Sequence, residues 1–413
     1  MDGNEQTRLQ DALVKNLNWF RHSGIMLPSD GMWGVGERIA VTNGNDAIEK
    51  IRNSFPAITE HDGWCVVEQR RADCNFQAAY LFLLCGRMLE NAEYASIGEN
   101  IVHFLYSRSG LLDRKTNEAR KLIRGTWQWS HIGHCSKIYY DDESWCLFLQ
   151  LEIAKMRPDL AKKYEMNYWA EVLAEELWIA SDRVLREKNI GEDGHWHDSG
   201  WWYGLFDLPH WGALACMALA RSCWNNSAAE KVAKYSDVIN RYLDYIADKA
   251  SSLICSEQTY LILACMAAWR YLKNEKAHDM AIKLGNMLVS CQDEQGNLPA
   301  QHYEAPTGMH LVDLIYTINW ASLGLQALAG ENDAFVAAKK KVHELVVRLQ
   351  DASAEPQFNG CWRGMFDLNA RTWGGGDRYE GGAGSIYSGW TNAPIAIAIA
   401  LDLMGCDLFS TEK

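Results

Sequence analysis

Three carboxyl side chains stand side by side in Asp141-Asp142-Glu143, framed by Tyr139, Tyr140 and Trp145 and followed at once by the apolar run 146–153. The run is apolar on every side rather than along one stripe, which predicts a buried helix. Asp141 then falls where an N-cap accepts backbone N–H bonds, with Asp142 as the first helical residue. Acids at the mouth of a buried helix can do acid/base chemistry, and the flat rings of Tyr140 and Trp145 offer faces on which a sugar rests. A plain capping cluster is the competing reading, because a helix N-terminus stabilises carboxylates by roughly 0.3–1 kcal/mol. Two adjacent caps would be redundant, however.

Cleaving a glycosidic bond takes two carboxyl groups, one of them protonated, roughly 5–5.5 Å apart for retention or roughly 6.5–9.5 Å apart for inversion. Adjacent residues on a regular helix diverge by about 100°. Asp141 and Asp142 can therefore share a substrate only if the helix begins between them. On that geometry Asp142 is the general acid, its pKa raised by repulsion from its neighbour, and Asp141 is the ionised partner. The exchanged roles fit nearly as well. Glu380 or Asp198 is the substitute second carboxylate for an inverting mechanism.

Residues able to hold a sugar recur in other loops. Trp129, His131 and His134 precede the acids; His195, His197, Trp201 and Trp202 come before the next apolar helix; Glu257, Tyr260, His302 and Tyr303 come later in the chain. The segment 373–390 holds seven glycines together with Arg378, Tyr379, Glu380, Tyr387 and Trp390. Such a loop can bring its backbone close to a ligand. No cofactor or metal is expected, because His131-x-x-His134 and His195-x-His197 lack a zinc-site pattern. No Ser-His-Asp order, phosphate-cradling loop or dinucleotide fingerprint accompanies the glycines. The His and Arg near these loops, Arg70 and Arg71 included, would also suit a uronic acid, with a His or Tyr as the base of a lyase.

The elements that must position these residues can be counted. Segments 73–90, 142–156, 207–224, 257–272, 310–329 and 391–404 read as apolar helices, while 5–23, 93–107, 162–188, 227–249, 274–292 and 332–350 read as amphipathic ones. A helix apolar all round is buried and its amphipathic partner covers it. Six such hairpins predict an all-α, (α/α)6 barrel, one catalytic domain over 1–413, with long loops at one mouth. A turn of polar residue, Gly and large apolar residue recurs at Gly31, Gly63, Gly194, Gly296 and Gly360. Strand signals are minor, with Val66 and Val67 in a small hairpin at most.

Composition narrows the partners. A net charge of −13 argues against a nucleic-acid or anionic-membrane binder, though a local basic pocket stays open. No run of about 18 apolar residues spans a membrane. Eighteen Trp and seventeen Tyr need a place, and carbohydrate clefts provide one. Twelve cysteines without a Cys-x-x-Cys, several inside apolar helices, behave as small hydrophobes. With a polar start, 1–10, lacking a leader-like core, they suggest a cytoplasmic protein, or a periplasmic or secreted one if a leader has been removed. The composition gives no oligomeric state.

With that alternation of helices, the chain resembles the six-hairpin glycosidase superfamily over essentially its whole length. Tyr140-Asp141-Asp142 followed by Trp145 resembles the paired-aspartate motif of the family 76 α-mannanases, which implies nucleophile and acid/base roles for Asp141 and Asp142. A loop acid at the start of an inner helix is also similar to the unsaturated glucuronyl hydrolases of families 88 and 105, in which an Asp protonates the substrate's double bond and water adds. Their second acid has no match here. Sugar 2-epimerases of the same fold use paired histidines, and His302 with His197 would be such a pair. Residues 141–144 loosely resemble the acidic motif of cyclising terpene enzymes, which need an apolar cavity with few His. The expectation is a glycoside hydrolase acting on an oligosaccharide. A uronate lyase, an unsaturated glucuronyl hydrolase, a sugar epimerase and a non-catalytic glycan-binding toroid are the alternatives.

Overall fold

A computed structural model of the chain describes residues 3–42, 53, 57–132, 137–224, 228–301, 307–374 and 384–410. Thirteen α-helices and nine short strands stand among them. The helices are α1 (Gly3–His22), α2 (Ala72–Met88), α3 (Ala92–His103), α4 (Tyr140–Met156), α5 (Pro158–Lys163), α6 (Met166–Glu187), α7 (Gly212–Trp224), α8 (Ala229–Ala247), α9 (Cys255–Leu272), α10 (Glu275–Cys291), α11 (Ile318–Leu328), α12 (Asp333–Arg348) and α13 (Ala393–Leu403). All twelve expected helices are present. The short α5 is the addition.

The two kinds of helix differ as their sequences require. In α4 every residue from Tyr140 to Ala154 is buried, and in α2 every residue from Ala72 to Gly86. In α8 the buried residues are Tyr235, Val238, Ile239, Tyr242, Leu243 and Ile246, the three-and-four spacing of a single stripe. Two of the amphipathic helices carry conventional caps: Asn91 accepts from Glu93 and Tyr94 N–H at the start of α3, and Asn332 from Phe335 N–H at the start of α12.

Contacts group the chain into two compact units. The first comprises 1–108, 254–256 and 286–408; the second comprises 109–253, 257–285 and 409–413. In the first, α2 packs on α3 and α13, and α11 on α12 and α13. Its strands form an antiparallel sheet of β1 (Arg38–Val41), β2 (Ile58–His61), β3 (Trp64–Val67) and β9 (Ser385–Tyr387) in the order β2-β3-β1-β9. A second sheet pairs β6 (Leu311–Asp313), β7 (Met365–Asp367) and β8 (Thr372–Trp373). In the second unit α4 packs on α6 and α7, and α7 on α8. There β4 (Ile138–Tyr139) runs parallel to β5 (Trp202–Tyr203).

That strand pair corrects the expected start of α4. The cap position is Tyr139, extended and without a side-chain cap bond, so Asp141 and Asp142 both lie inside the first turn. Pairing with Trp202–Tyr203 holds the chain extended through Tyr139, and Tyr140 turns in against Trp202 and Phe206, at 5.0 and 4.9 Å between ring centroids. The helix therefore begins before both acids rather than between them.

The recurring glycine turns have a common backbone cause. Gly31, Gly63, Gly194, Gly296 and Gly360 all have φ between 78° and 91°, where side chains bearing a Cβ are strained. At Gly296 and Gly360 a Cβ would also collide with the carbonyls of Lys341 and Lys15. Cys85, Cys146, Cys216 and Cys265 are buried, and burial pushes the Cys85, Cys216 and Cys265 thiols up. Cys291 is exposed. Among the described residues no helix is long and apolar enough to cross a membrane.

Candidate active site

Three residues of the second unit, each at or just before a helix start, form one group of buried polar side chains. Asp141 comes from the first turn of α4, His210 from the turn leading into α7, and Glu257 from the first turn of α9. His210 Nε2 lies 3.1 Å from Asp141 Oδ2, so the ring nitrogen donates to the carboxylate. The His210 backbone N–H donates to Glu257 Oε2 at 2.8 Å. One histidine thus links the two acids, through its ring on one side and its backbone on the other.

The imidazole is held by stacking. It lies nearly parallel to Trp211 (centroids 4.4 Å apart, 16°) and to Tyr260 (4.7 Å, 7°). Such contacts fix the ring plane and with it the direction of the Nε2–H bond. Gly212 begins α7 because a Cβ there would run into the Phe206 carbonyl and the Tyr242 ring. The turn 204–211 can therefore lie tightly over α8.

Burial acts on the Glu257 carboxyl. Glu257 is 3% exposed, and burial raises its pKa above the usual carboxylate value, an effect partly offset by His210. The shift is toward the protonated form. Asp141 Oδ1 and Glu257 Oε1 are both buried and have no hydrogen-bond partner among the described residues. A buried oxygen left bare costs roughly 1–3 kcal/mol, which marks these atoms as places for a ligand or water. The Tyr140 and Tyr242 hydroxyls are also buried without a partner among the described residues, and burial pushes both phenols well above their usual range.

A second histidine–carboxylate pair stands in the same unit. His195 Nδ1 is 2.9 Å from Asp207 Oδ2, while Asp207 Oδ1 accepts from the Trp196 backbone N–H at 2.8 Å. Asp207 is buried and His195 about one-third exposed. This is an oriented imidazole with a free face.

The other sequence candidates are dispersed. Asp198, expected as a substitute second carboxylate, is fully buried in a two-bond pair with Arg183 (2.8 and 3.0 Å) and also accepts from Gly200 and Trp202 N–H. Both its oxygens are engaged in holding the loop. His197 faces solvent, pinned to Asp193 at 2.9 Å, and holds that carboxyl below its usual value. Trp202 supports Tyr140 from below. Trp129, Tyr139 and Tyr203 form a half-buried run of rings, with centroids 6.2 and 5.9 Å apart. Trp201 and His131 are half-buried on their loops.

Tyr387 and Trp390 belong to the first unit. Arg38 lies over the Tyr387 ring, and Trp390 Nε1 donates to Asp73 Oδ2 at 2.8 Å. His134, His302, Tyr303, Arg378, Tyr379 and Glu380 lie outside the described residues.

His210 and Asp207 are not among the residues that sequence reasoning selects, and Glu257 is selected only as a residue able to hold a sugar, with no acid/base role. Hydropathy places the third apolar helix at 207, which absorbs Asp207 and His210 into it. The helix starts at Gly212. The signal that could have found them is Pro209-His210-Trp211-Gly212, a Pro and a Gly bracketing two aromatics directly before an apolar run.

No known family matches the chain, and no curated protein resembles it in sequence. Solved structures do resemble it in shape. Cellobiose 2-epimerase from Spirochaeta thermophila is 11% identical, with 97% of this chain and 98% of that one covered at a TM-score of 0.59. Unsaturated glucuronyl hydrolase from Streptococcus agalactiae is 12% identical, covering 98% and 94% at 0.60. The chain has the six-hairpin (α/α)6 fold. A third six-hairpin structure is an inactive α-1,6-mannanase of Salegentibacter sp. bound to α-1,6-mannotriose, its two consecutive aspartates replaced by Asn; it is 11% identical and covers 96% and 98% at 0.56.

Proposed function

We propose that the chain is a glycoside hydrolase, working as one catalytic domain, that cuts an oligosaccharide between Asp141 and Glu257. The observation that carries this reading is the pair of buried carboxyls bracketing His210, each with one bare oxygen. Glu257, whose proton burial favours, gives that proton to the departing glycosidic oxygen as the bond to the anomeric carbon breaks. Asp141 keeps Oδ2 on His210 and uses Oδ1 to attack the anomeric carbon or to take a proton from the entering water. Glu257 suits the acid role better than Asp142, because Asp142 points about 100° around the helix from Asp141. The fold shared with an α-mannanase inactivated by loss of two aspartates supports an acid at this helix start.

The test is a panel of neutral and uronate oligosaccharides, read by released reducing ends and by absorbance near about 235 nm, where a C4–C5 double bond absorbs. New reducing ends without an absorbance change are expected, with D141N and E257Q each slowing turnover by roughly 10²–10⁴. Undiminished activity in both variants would sink the assignment.

Two imidazoles oriented by carboxylates, His210 on Asp141 and His195 on Asp207, favour a second reading. A sugar 2-epimerase needs two such groups to remove and return a proton at C2, and the shared fold includes a cellobiose 2-epimerase. In D2O that activity would place deuterium at C2 without new reducing ends, and H195A would abolish it.

A further inference from the structure

The charge of the chain is unevenly spread. Between 109 and 139 six cations (Arg114, Lys115, Arg120, Lys121, Arg124 and Lys137) face two acids, Asp113 and Glu118, a local excess of +4 in a chain of −13. Five of the six lie on a short hairpin closed by the Asn117–Leu122 bridge, and all six are exposed. Asp113, one of the two acids, is buried and hydrogen-bonded to Gln128, and burial pushes it up to about 6.

This basic segment is anchored to α4, the helix that carries Asp141, and its Arg114 and Arg124 lie over the Trp169 ring of α6. Leu112 and Trp127 close the base of the hairpin, and the Trp127 N–H donates at 2.8 Å to Glu143 in the first turn of α4, two residues along and about 200° around the helix from Asp141. After the hairpin the same loop supplies Trp129, Lys137 and Tyr139. The Lys137 ammonium lies 5.9 and 5.4 Å from the centres of the Tyr139 and Tyr203 rings, and among the described residues it makes no ion pair. Half-buried rings with an unneutralised cation across them form a surface for a sugar that carries a negative charge: the ring face stacks and the ammonium meets the anionic group.

We infer that the substrate is an acidic glycan, bearing carboxylate or sulfate groups, which the 113–124 hairpin attracts and the Lys137–Tyr139–Tyr203 surface holds beside Asp141. The inference rests on the glycosidase reading for the cleavage step, but not for binding itself. An isolated cluster of surface cations is usually just solvated. Here the cluster opposes the sign of the whole chain and is tied to the helix that presents Asp141, where it would raise the local concentration of an anionic ligand.

Calorimetric titration with tetragalacturonate, a sulfated cellotetraose and plain cellotetraose tests it, using the full chain carrying D141N to prevent turnover. At low salt one or both anionic probes should bind about tenfold or more tightly than cellotetraose, and the preference should shrink as salt screens it. Which anionic probe binds distinguishes carboxylate from sulfate. Adding K137M should weaken the preferred probe by roughly three- to fivefold, the size of one exposed ion pair, and leave cellotetraose unchanged. R120S with K121S should steepen that loss and flatten the salt dependence. Equal affinity for all three probes, no binding of any, or a preference untouched by K137M would overturn the inference. Binding of an anionic probe that the unsubstituted chain never cleaves would uphold it and refute the hydrolase instead. Hydrolysis of neutral chains with no anionic preference would do the reverse.

Discussion

Buried carboxylates gather in both compact units, but their oxygens are used differently. In the first unit Glu37 meets Arg71 and Arg38, Asp73 meets Arg71 through both oxygens, and Trp390 adds a further bond to Asp73. Every oxygen of these two carboxylates has a partner, and two cations balance two anions. In the second unit Asp141 and Glu257 share one histidine and each keeps a bare oxygen. Equal burial thus has two outcomes. A closed ion-pair network fixes conformation, whereas an incomplete one retains chemical potential toward something that arrives.

Substitutions should separate the two. The largest effect expected is on turnover: D141N removes roughly 10²–10⁴ of the rate while the melting temperature hardly moves, since Asn keeps the shape and can still meet His210. A variant that melts early and stays active would erase the contrast. D73N should do the opposite. Leaving Arg71 with one fewer counter-charge in a buried setting costs about 3–5 kcal/mol, seen in denaturant unfolding, with activity lost only in proportion to the folded fraction.

R183M sharpens the comparison inside the second unit. It strands the buried Asp198, at a cost of about 1–3 kcal/mol, without changing the kcat of the folded protein. If kcat falls as steeply as in D141N, Asp198 takes part in the chemistry after all. The smallest effect is expected for H197A, whose exposed pair with Asp193 should leave the melting temperature unchanged within error.

Glu257 gives the comparison a pH signature. Its folded pKa is raised above the ordinary 4.5, so above pH 4.5 the unfolded chain loses this proton first. The folded state then binds more protons, and stability declines as pH rises from about 4.5 toward the folded value. Asp113 and Asp313, pushed up to about 6, act with the same sign. The measure is therefore a difference: thermal melts from pH 4 upward should decline less in E257Q than in the unsubstituted chain, and coincident slopes would deny Glu257 its raised value.

The sequence makes the scaffold more legible than the site. Hydropathy separates α2, α4, α7, α9, α11 and α13 from their amphipathic partners because burial on all faces leaves no polar stripe. The five glycine turns are visible because positive φ excludes most other residues. What hydropathy does not register is where an apolar helix begins. Starting the third buried helix at 207 hides His210, and starting the fifth at 310 hides Asp313, which ends β6 ahead of α11 and accepts from the Ile315 and Tyr316 N–H groups. Asp141 is identifiable from its neighbours, but its partner is not, since His210 lies 69 positions away and only the packing of α4 against α7 brings them together.

The distribution of thiols has a practical consequence. Nine of the eleven described cysteines are shut inside the protein, and where burial raises their pKa the nucleophilic thiolate is scarce. Among the described residues an alkylating dye would therefore meet Cys291 first, at the end of α10. A single fluorophore there, checked against C291S, would mark the end of α10 without a tag or a redesigned surface.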